Sequence, residues 1–352
     1  MQHAHHPKRT PWYRRRGFLW PVGILCVLLL SILLWFRLSP WPGAMIIRFV
    51  FTKGGRDVTK ALAAHQPAKP IGEVLNQQYH VGDKNAWLDV YYPQEAAAKQ
   101  QHLPVIVWTH GGAWLSGDKK DYAAYYRLLA AEGFTVVAPN YSLAPEKSYP
   151  TPIHQLNEVY SYIQAQADRL HADTRTFILA GDSAGAQLSS QMAALITNPA
   201  YAQEVGIMPQ LRPEQLKGVI LNCGIYMMDK LATPGPNLPK IIGWGDDVTV
   251  WAYAGTSDFS LPVIKQMSPY YHVTKNFPAT YISGGNGDPL TNTQSVPLAN
   301  KLSDLGVPVT RHFFAADYYP LLPHEYQFNL DTPDGEKALQ ATITFLQQFK
   351  EK

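Results

Sequence analysis

The sequence predicts an α/β chain built on a mostly parallel sheet covered by helices on both faces. Three observations carry that expectation. Apolar runs of strand length recur along the chain, segments of helical spacing alternate with them, and no repeat or low-complexity linker divides residues 75–352. Strands buried on both faces read as continuous apolar runs, and their alternation with helices is the pattern of parallel crossovers.

The elements follow in order. PVIVWTH (Pro104–His110) is a short apolar run that ends in Gly-Gly, as a buried strand does. Asp121 to Ala131 has helical spacing and stops at Gly133, and FTVVAP (Phe134–Pro139) is the next strand. Ile153 to Leu170 reads as a helix, with Leu156, Val159, Tyr160 and Ile163 on one stripe. TFILA (Thr176–Ala180) is a strand, and Ala184 to Thr197 is the helix after it. Strands LKGVILNCG, ATYISGG and VPVTRHFF complete the set, with helices at Ser295–Leu305 and Gly335–Phe349. Two regions break the alternation. Ala44 to Ile71 should hold a helix around Val58–Ala64, and Asp229 to Asn276 is a long aromatic-rich insertion. Such an insertion at a strand end reads as a cap over a site, and an ordinary surface layer is the alternative.

Composition narrows the class. Hydrophobic residues make up 46% and charged residues 16%, which supports a large core. The net charge of +3 belongs to the N-terminus: residues 1–40 hold six Lys or Arg and no acid, so the remainder has 24 basic against 27 acidic side chains. A mildly acidic body has no broad basic surface for nucleic acid. Cys26 lies in an apolar run and Cys223 in a core strand, so no internal disulfide is expected.

Phe18 to Phe36 is 19 residues without a charge, long enough to cross a bilayer. Arg14, Arg15 and Arg16 precede it, and Trp12, Tyr13, Trp20, Trp35 and Trp41 cluster near its ends. The expected organisation is a cytoplasmic tail (1–17), a membrane anchor (18–38), a linker with an N-terminal cap segment (39–74) and a globular domain (75–352) with a cap insertion at about 229–276. That domain then lies on the extracytoplasmic side. A cleaved signal peptide and a buried helix of a soluble protein are the competing readings, although SPWPGA (Ser39–Ala44) is a poor cleavage site.

The chemistry centres on Gly181-Asp182-Ser183-Ala184-Gly185, a G-x-S-x-G pattern between strand TFILA and the helix after it. That context is a nucleophile elbow, which exposes Ser183 at the carboxyl edge of the sheet. Upstream, His110-Gly111-Gly112-Ala113-Trp114 follows a strand, and the amides of Gly111, Gly112 and Ala184 are the expected oxyanion donors. His110 is expected to brace this loop. A serine nucleophile needs a base and the base needs an orienting carboxylate. Asp288, in the Gly-rich loop after strand ATYISGG, and His324, in LLPHEYQF before the last helix, stand in the required chain order. Asp258, Asp317, His312 and His272 are poorer placed. His324-Glu325 lacks the second histidine of a zinc motif, since position 328 is Phe328, and no metal or cofactor is expected.

HGGAW, NYSLAPE (Asn140–Glu146), GDSAG, GGNGDPL and PHEY together resemble the hormone-sensitive-lipase-like carboxylesterases and feruloyl-esterase-like proteins of the α/β-hydrolase superfamily, over about Leu75 to Phe349. The resemblance implies an α/β-hydrolase fold and cofactor-free hydrolysis of small or medium carboxylic esters by Ser183, Asp288 and His324. Activity should then fall as His324 is protonated. Trp114 and Tyr141 are expected to contact the substrate. An amidase or peptidase with the same triad, an acyltransferase, and a binding protein that kept the fold are the other readings. Oligomeric state is left open.

Overall fold

The computed structural model describes residues 16–231 and 240–350. The tail residues 1–15, with Trp12, Tyr13, Arg14 and Arg15, lie outside the described residues, as does part of the expected cap insertion (232–239).

One eight-stranded sheet organises the described residues, in the order β1-β2-β4-β3-β5-β6-β7-β8. β1 (Ile71–Gln78) and β2 (Trp87–Pro93) form an antiparallel hairpin, and β2 also runs antiparallel to β4 (Thr135–Pro139). From β4 onward all neighbours are parallel: β3 (Leu103–Thr109), β5 (Ala172–Asp182), β6 (Leu216–Asn222), β7 (Ala279–Gly284) and β8 (Val309–Phe313). The sheet is mostly parallel, as expected, with an antiparallel edge.

Side-chain alternation splits the core in two. Val105, Val107, Leu179 and Val219 point to one face, where α4 (Thr151–Ala165), α5 (Ala184–Thr197) and α7 (Val296–Asp304) pack with Leu156, Leu188 and Leu302. Ile106, Trp108, Ile178 and Ile220 point to the other, against Tyr125 and Leu129 of α3 (Ala123–Ala131) and Phe345 of α8 (Pro333–Gln347). Each fully buried aliphatic chain contributes about 1.5–3 kcal/mol. α5 is buried along its whole length, and its Ala, Gly and Ser residues let it lie close on β5 and β6.

Two helices precede the sheet. α1 (Arg16–Leu38) is apolar, and its stretch Trp20–Leu38 has mean hydropathy 2.3 with none of it buried. α2 (Trp41–Leu62) follows after Ser39 and Pro40. It is far longer than the Val58–Ala64 helix read from the sequence, because residues 41–51 resemble a continuation of the apolar run. β1 and β2 were also not anticipated. β1 is a partly exposed edge strand with a mixed pattern (IGEVLNQQ), so it lacks the continuous apolar signal of the interior strands. Its start at Ile71 places the beginning of the sheet before residue 75, inside the segment read as linker. α6 (Lys240–Ala254) lies in the 229–276 insertion and packs on α2. A Cβ on Gly43 would sit 2.9 Å from Val248 Cγ1 and 3.0 Å from Trp244 Cζ2, so this glycine sets how closely the two helices approach.

Candidate active site

Ser183 stands between the last residue of β5 and the first of α5, at φ +50° and ψ −119°. A non-glycine residue at positive φ is strained and persists where its surroundings over-determine it. The Ser183 amide donates to Asn222 O at 2.9 Å, which ties the turn to the end of β6. A Cβ on Gly181 would strike the backbone of Gly185, and one on Gly185 would strike Thr109 O. The two glycines of the motif are therefore demanded by the closeness of helix and strands at the elbow.

Asp288 is buried in the loop after β7, where the Leu290 amide donates to its Oδ1 at 2.9 Å. His324 Nδ1 donates to Asp288 Oδ2 at 2.8 Å, which leaves Nε2 as the acceptor nitrogen. Ser183, Asp288 and His324 all border one cavity of about 520 Å³. Among the described residues no hydrogen bond joins the Ser183 hydroxyl to His324. Such bonds are often long in empty sites and close on substrate. Burial pulls the His324 pKa down, but Cys223 and Asp288 act the other way and lift it well above its ordinary value near 6.5. The rivals are placed elsewhere. Asp258 accepts from Ser260 in an exposed turn, His312 lies within β8 near Tyr281, and His272 stacks on Tyr201.

The oxyanion loop differs from expectation. The Gly111 amide donates to Asp182 Oδ2 at 2.8 Å and is already engaged. Gly112, Ala113 and Trp114 follow at φ +102°, +55° and +58°, a run that curls the chain around the cavity. Among the described residues the amides of Gly112 and Ala113 have no acceptor. The amide of Ala184, at the first turn of α5, has no intrahelical one. Ala113 borders the cavity together with Ser183. The amides of Gly112, Ala113 and Ala184 are thus without such a partner, while that of Gly111 is held by Asp182.

Asp182, to which the sequence assigned no role, stands directly before Ser183. It is fully buried, accepts from Trp108 Nε1 at 2.9 Å as well as from Gly111, and so couples elbow to oxyanion loop. Burial, reinforced by the charge of Glu325, pushes its pKa well above the usual carboxylate range. His110 is likewise buried, with its Nδ1 2.8 Å from Gly111 O, and burial lowers its pKa.

Trp114 and Tyr141 do not border the cavity. Trp114 is fully buried, donates Nε1 to Gln187 Oε1 at 2.9 Å and stacks on Tyr253 of α6 at 4.8 Å. Tyr141 stacks on His110 and donates to His110 O at 3.0 Å. Both pack on or bond to the strained loop and its neighbours. The cavity wall is built instead by Ile46, Val50 and Phe51 of α2 and by Ile241, Ile242 and Trp244 of α6. Asp246 also borders it, and burial together with neighbouring Asp247 pushes its carboxyl up to about 7.

Cys223, at φ +43°, ends buried beneath the acid–base pair. Its Sγ, an Asp288 oxygen and a His324 nitrogen lie within 4.8 Å of one another. His324 Nδ1 and Asp288 Oδ2 are bonded to each other, and Cys223 Sγ accepts from Gln327 Nε2 at 3.2 Å.

A mostly parallel sheet of this order, with an elbow at the end of β5, is the arrangement of the α/β-hydrolases. Within it the chain belongs to the BD-FAE family, whose sequence profile matches residues 88–302. It is similar to an esterase of Gibberella moniliformis, with 28% identity over 70% of this chain and 74% of that protein. It also resembles the versiconal hemiacetal acetate esterase of Dothistroma septosporum, with 27% identity over 84% of this chain and 90% of that one. Esterase B of Lactobacillus rhamnosis, solved with an inhibitor, shares the fold at TM-score 0.72 and 20% identity, over 88% of this chain and 96% of that one. The protein is a carboxylic ester hydrolase.

Proposed function

We propose that the chain is a membrane-anchored serine carboxylesterase that works through Ser183, His324 and Asp288. The observation that carries this reading is the 2.8 Å bond from His324 Nδ1 to Asp288 on the wall of the cavity that Ser183 also borders. His324 Nε2 takes the proton of Ser183 as the hydroxyl attacks the ester carbonyl. The amides of Gly112, Ala113 and Ala184 receive the developing oxyanion. His324 then protonates the leaving alcohol and activates water against the acyl-enzyme, while Asp288 holds the tautomer. The apolar wall from α2 and α6 suits the acyl or alkyl part of small and medium esters, and these two elements act as the cap. Ser183→Ala should lower kcat/KM for p-nitrophenyl butyrate by at least about 10⁴-fold, with the protein still folded. A variant that keeps its rate would remove Ser183 from the mechanism.

The length and exposure of α1 support an anchor at residues 18–38. Arg14 to Arg16 before it favour a cytoplasmic N-terminus and an extracytoplasmic catalytic domain. Protease protection of the domain in sealed membranes tests that orientation. Cleavage of the domain from the cytoplasmic face would reverse it.

A further inference from the structure

We propose that the mouth of the catalytic cavity lies against the lipid bilayer, and that the enzyme takes esters dissolved in that bilayer. This rests on the reading of α1 as a membrane anchor. Ser39 and Pro40 alone separate α1 from α2. So short a connection reaches roughly 3.5 Å per residue, so α2 begins within about 10 Å of the end of the anchor.

The surface of α2 changes character along its length. Its first three turns expose Trp41, Ile46, Phe49, Val50 and Phe51, and Phe49 is 74% exposed. Its second half is polar and carries exposed Lys53, Arg56 and Lys60. Exposed aromatic and apolar residues next to the end of a membrane span, followed by a polar stretch, suit the membrane–water boundary. Contiguous exposed apolar surface of this kind marks an interaction site in a folded protein.

Ile46, Val50 and Phe51 are also cavity wall. Across the opening α6 presents Ile241 and Ile242, exposed at 69% and 40% and bordering the same cavity. An apolar path therefore runs from the end of the anchor along α2 to Ser183, with Lys230, Asp246 and Thr249 as polar residues on the same wall. The anchor supplies the occupant for this face, because it holds the apolar half of α2 at a bilayer.

The test uses the full-length protein in phosphatidylcholine–phosphatidylglycerol vesicles. Two substrates are compared: p-nitrophenyl acetate in water and p-nitrophenyl laurate dissolved in the vesicles. Phe49 borders neither the cavity nor the triad, so Phe49→Glu should leave acetate turnover unchanged. It should lower laurate turnover about tenfold, and Phe49→Leu should behave as wild type on both. A second readout is independent of turnover. In a Cys26→Ser background, an environment-sensitive label on Phe49→Cys should be quenched by spin-labelled lipid, and one on exposed Met208→Cys should not. Unchanged laurate turnover, an equal loss on both substrates, or equal quenching at the two positions overturns the proposal. Alkaline carbonate extraction separates the two readings. Release of the wild type would end the anchor reading and this one with it, whereas retention with no difference between substrates would end this one alone.

Discussion

His324 sits between opposing influences. Burial disfavours its charge, while Asp288 at 2.8 Å and the sulfur of Cys223 favour it, and the second pair prevails. A base with a raised pKa is protonated at a higher pH, so activity is lost earlier as pH falls. The acid limb of kcat/KM should therefore lie above pH 6.5, the ordinary imidazole value. Asp288→Asn should shift that limb to lower pH and cut the rate by about 10⁴-fold. A pH profile of both proteins with a soluble ester checks this, and an unshifted limb would detach His324 from Asp288. At this scale the sequence was readable where a motif imposes order: Ser183, Asp288 and His324 meet at one cavity. It was not readable where a backbone direction decides. Which amides of His110–Trp114 face the cavity depends on three successive positive φ values, and only one of those residues is glycine. The role of Asp182 was hidden for a related reason, since its partners Trp108 and Gly111 lie more than 70 residues away.

Between elements, the active site depends on how α2 and α6 are held. Arg48 of α2 donates to both oxygens of Glu146, at 2.7 and 2.6 Å, and to the carbonyls of Leu115 and Ala144. The NYSLAPE segment thus receives the N-terminal helix next to the oxyanion loop, a contact across 98 residues that spacing could not disclose. Trp114 joins the same loop to α6 through its stack on Tyr253. Gly43 fixes the separation of the two helices, and Gly43→Val should force them apart at a cost of about 1–3 kcal/mol. The expected result is a lower denaturation midpoint and a changed preference along an acyl-chain-length series of p-nitrophenyl esters. An unchanged preference would mean that α2 and α6 do not shape the acyl pocket. The sequence disclosed the insertion containing α6 by its length and aromatic content. It underestimated α2, whose first half reads as more of the apolar N-terminal run.

Over the whole molecule, the interior strands were legible because a sheet buried on both faces leaves unbroken apolar runs. The hairpin of β1 and β2 was not: β1 is a partly exposed edge strand with a mixed pattern, and the buried Asp89 interrupts the apolar run of β2. The result is a mostly parallel sheet with Ser183 at the carboxyl end of β5, and a helix, α2, that follows an apolar span after two residues. The proposed chemistry begins with Ser183 as the attacking group. The most direct test is mass analysis of the full-length enzyme after reaction with an alkyl p-nitrophenyl phosphonate, followed by peptide mapping. The expected result is a single phosphonyl adduct on Ser183, absent from Ser183→Ala. An adduct on another residue, or labelling that survives in Ser183→Ala, would contradict it.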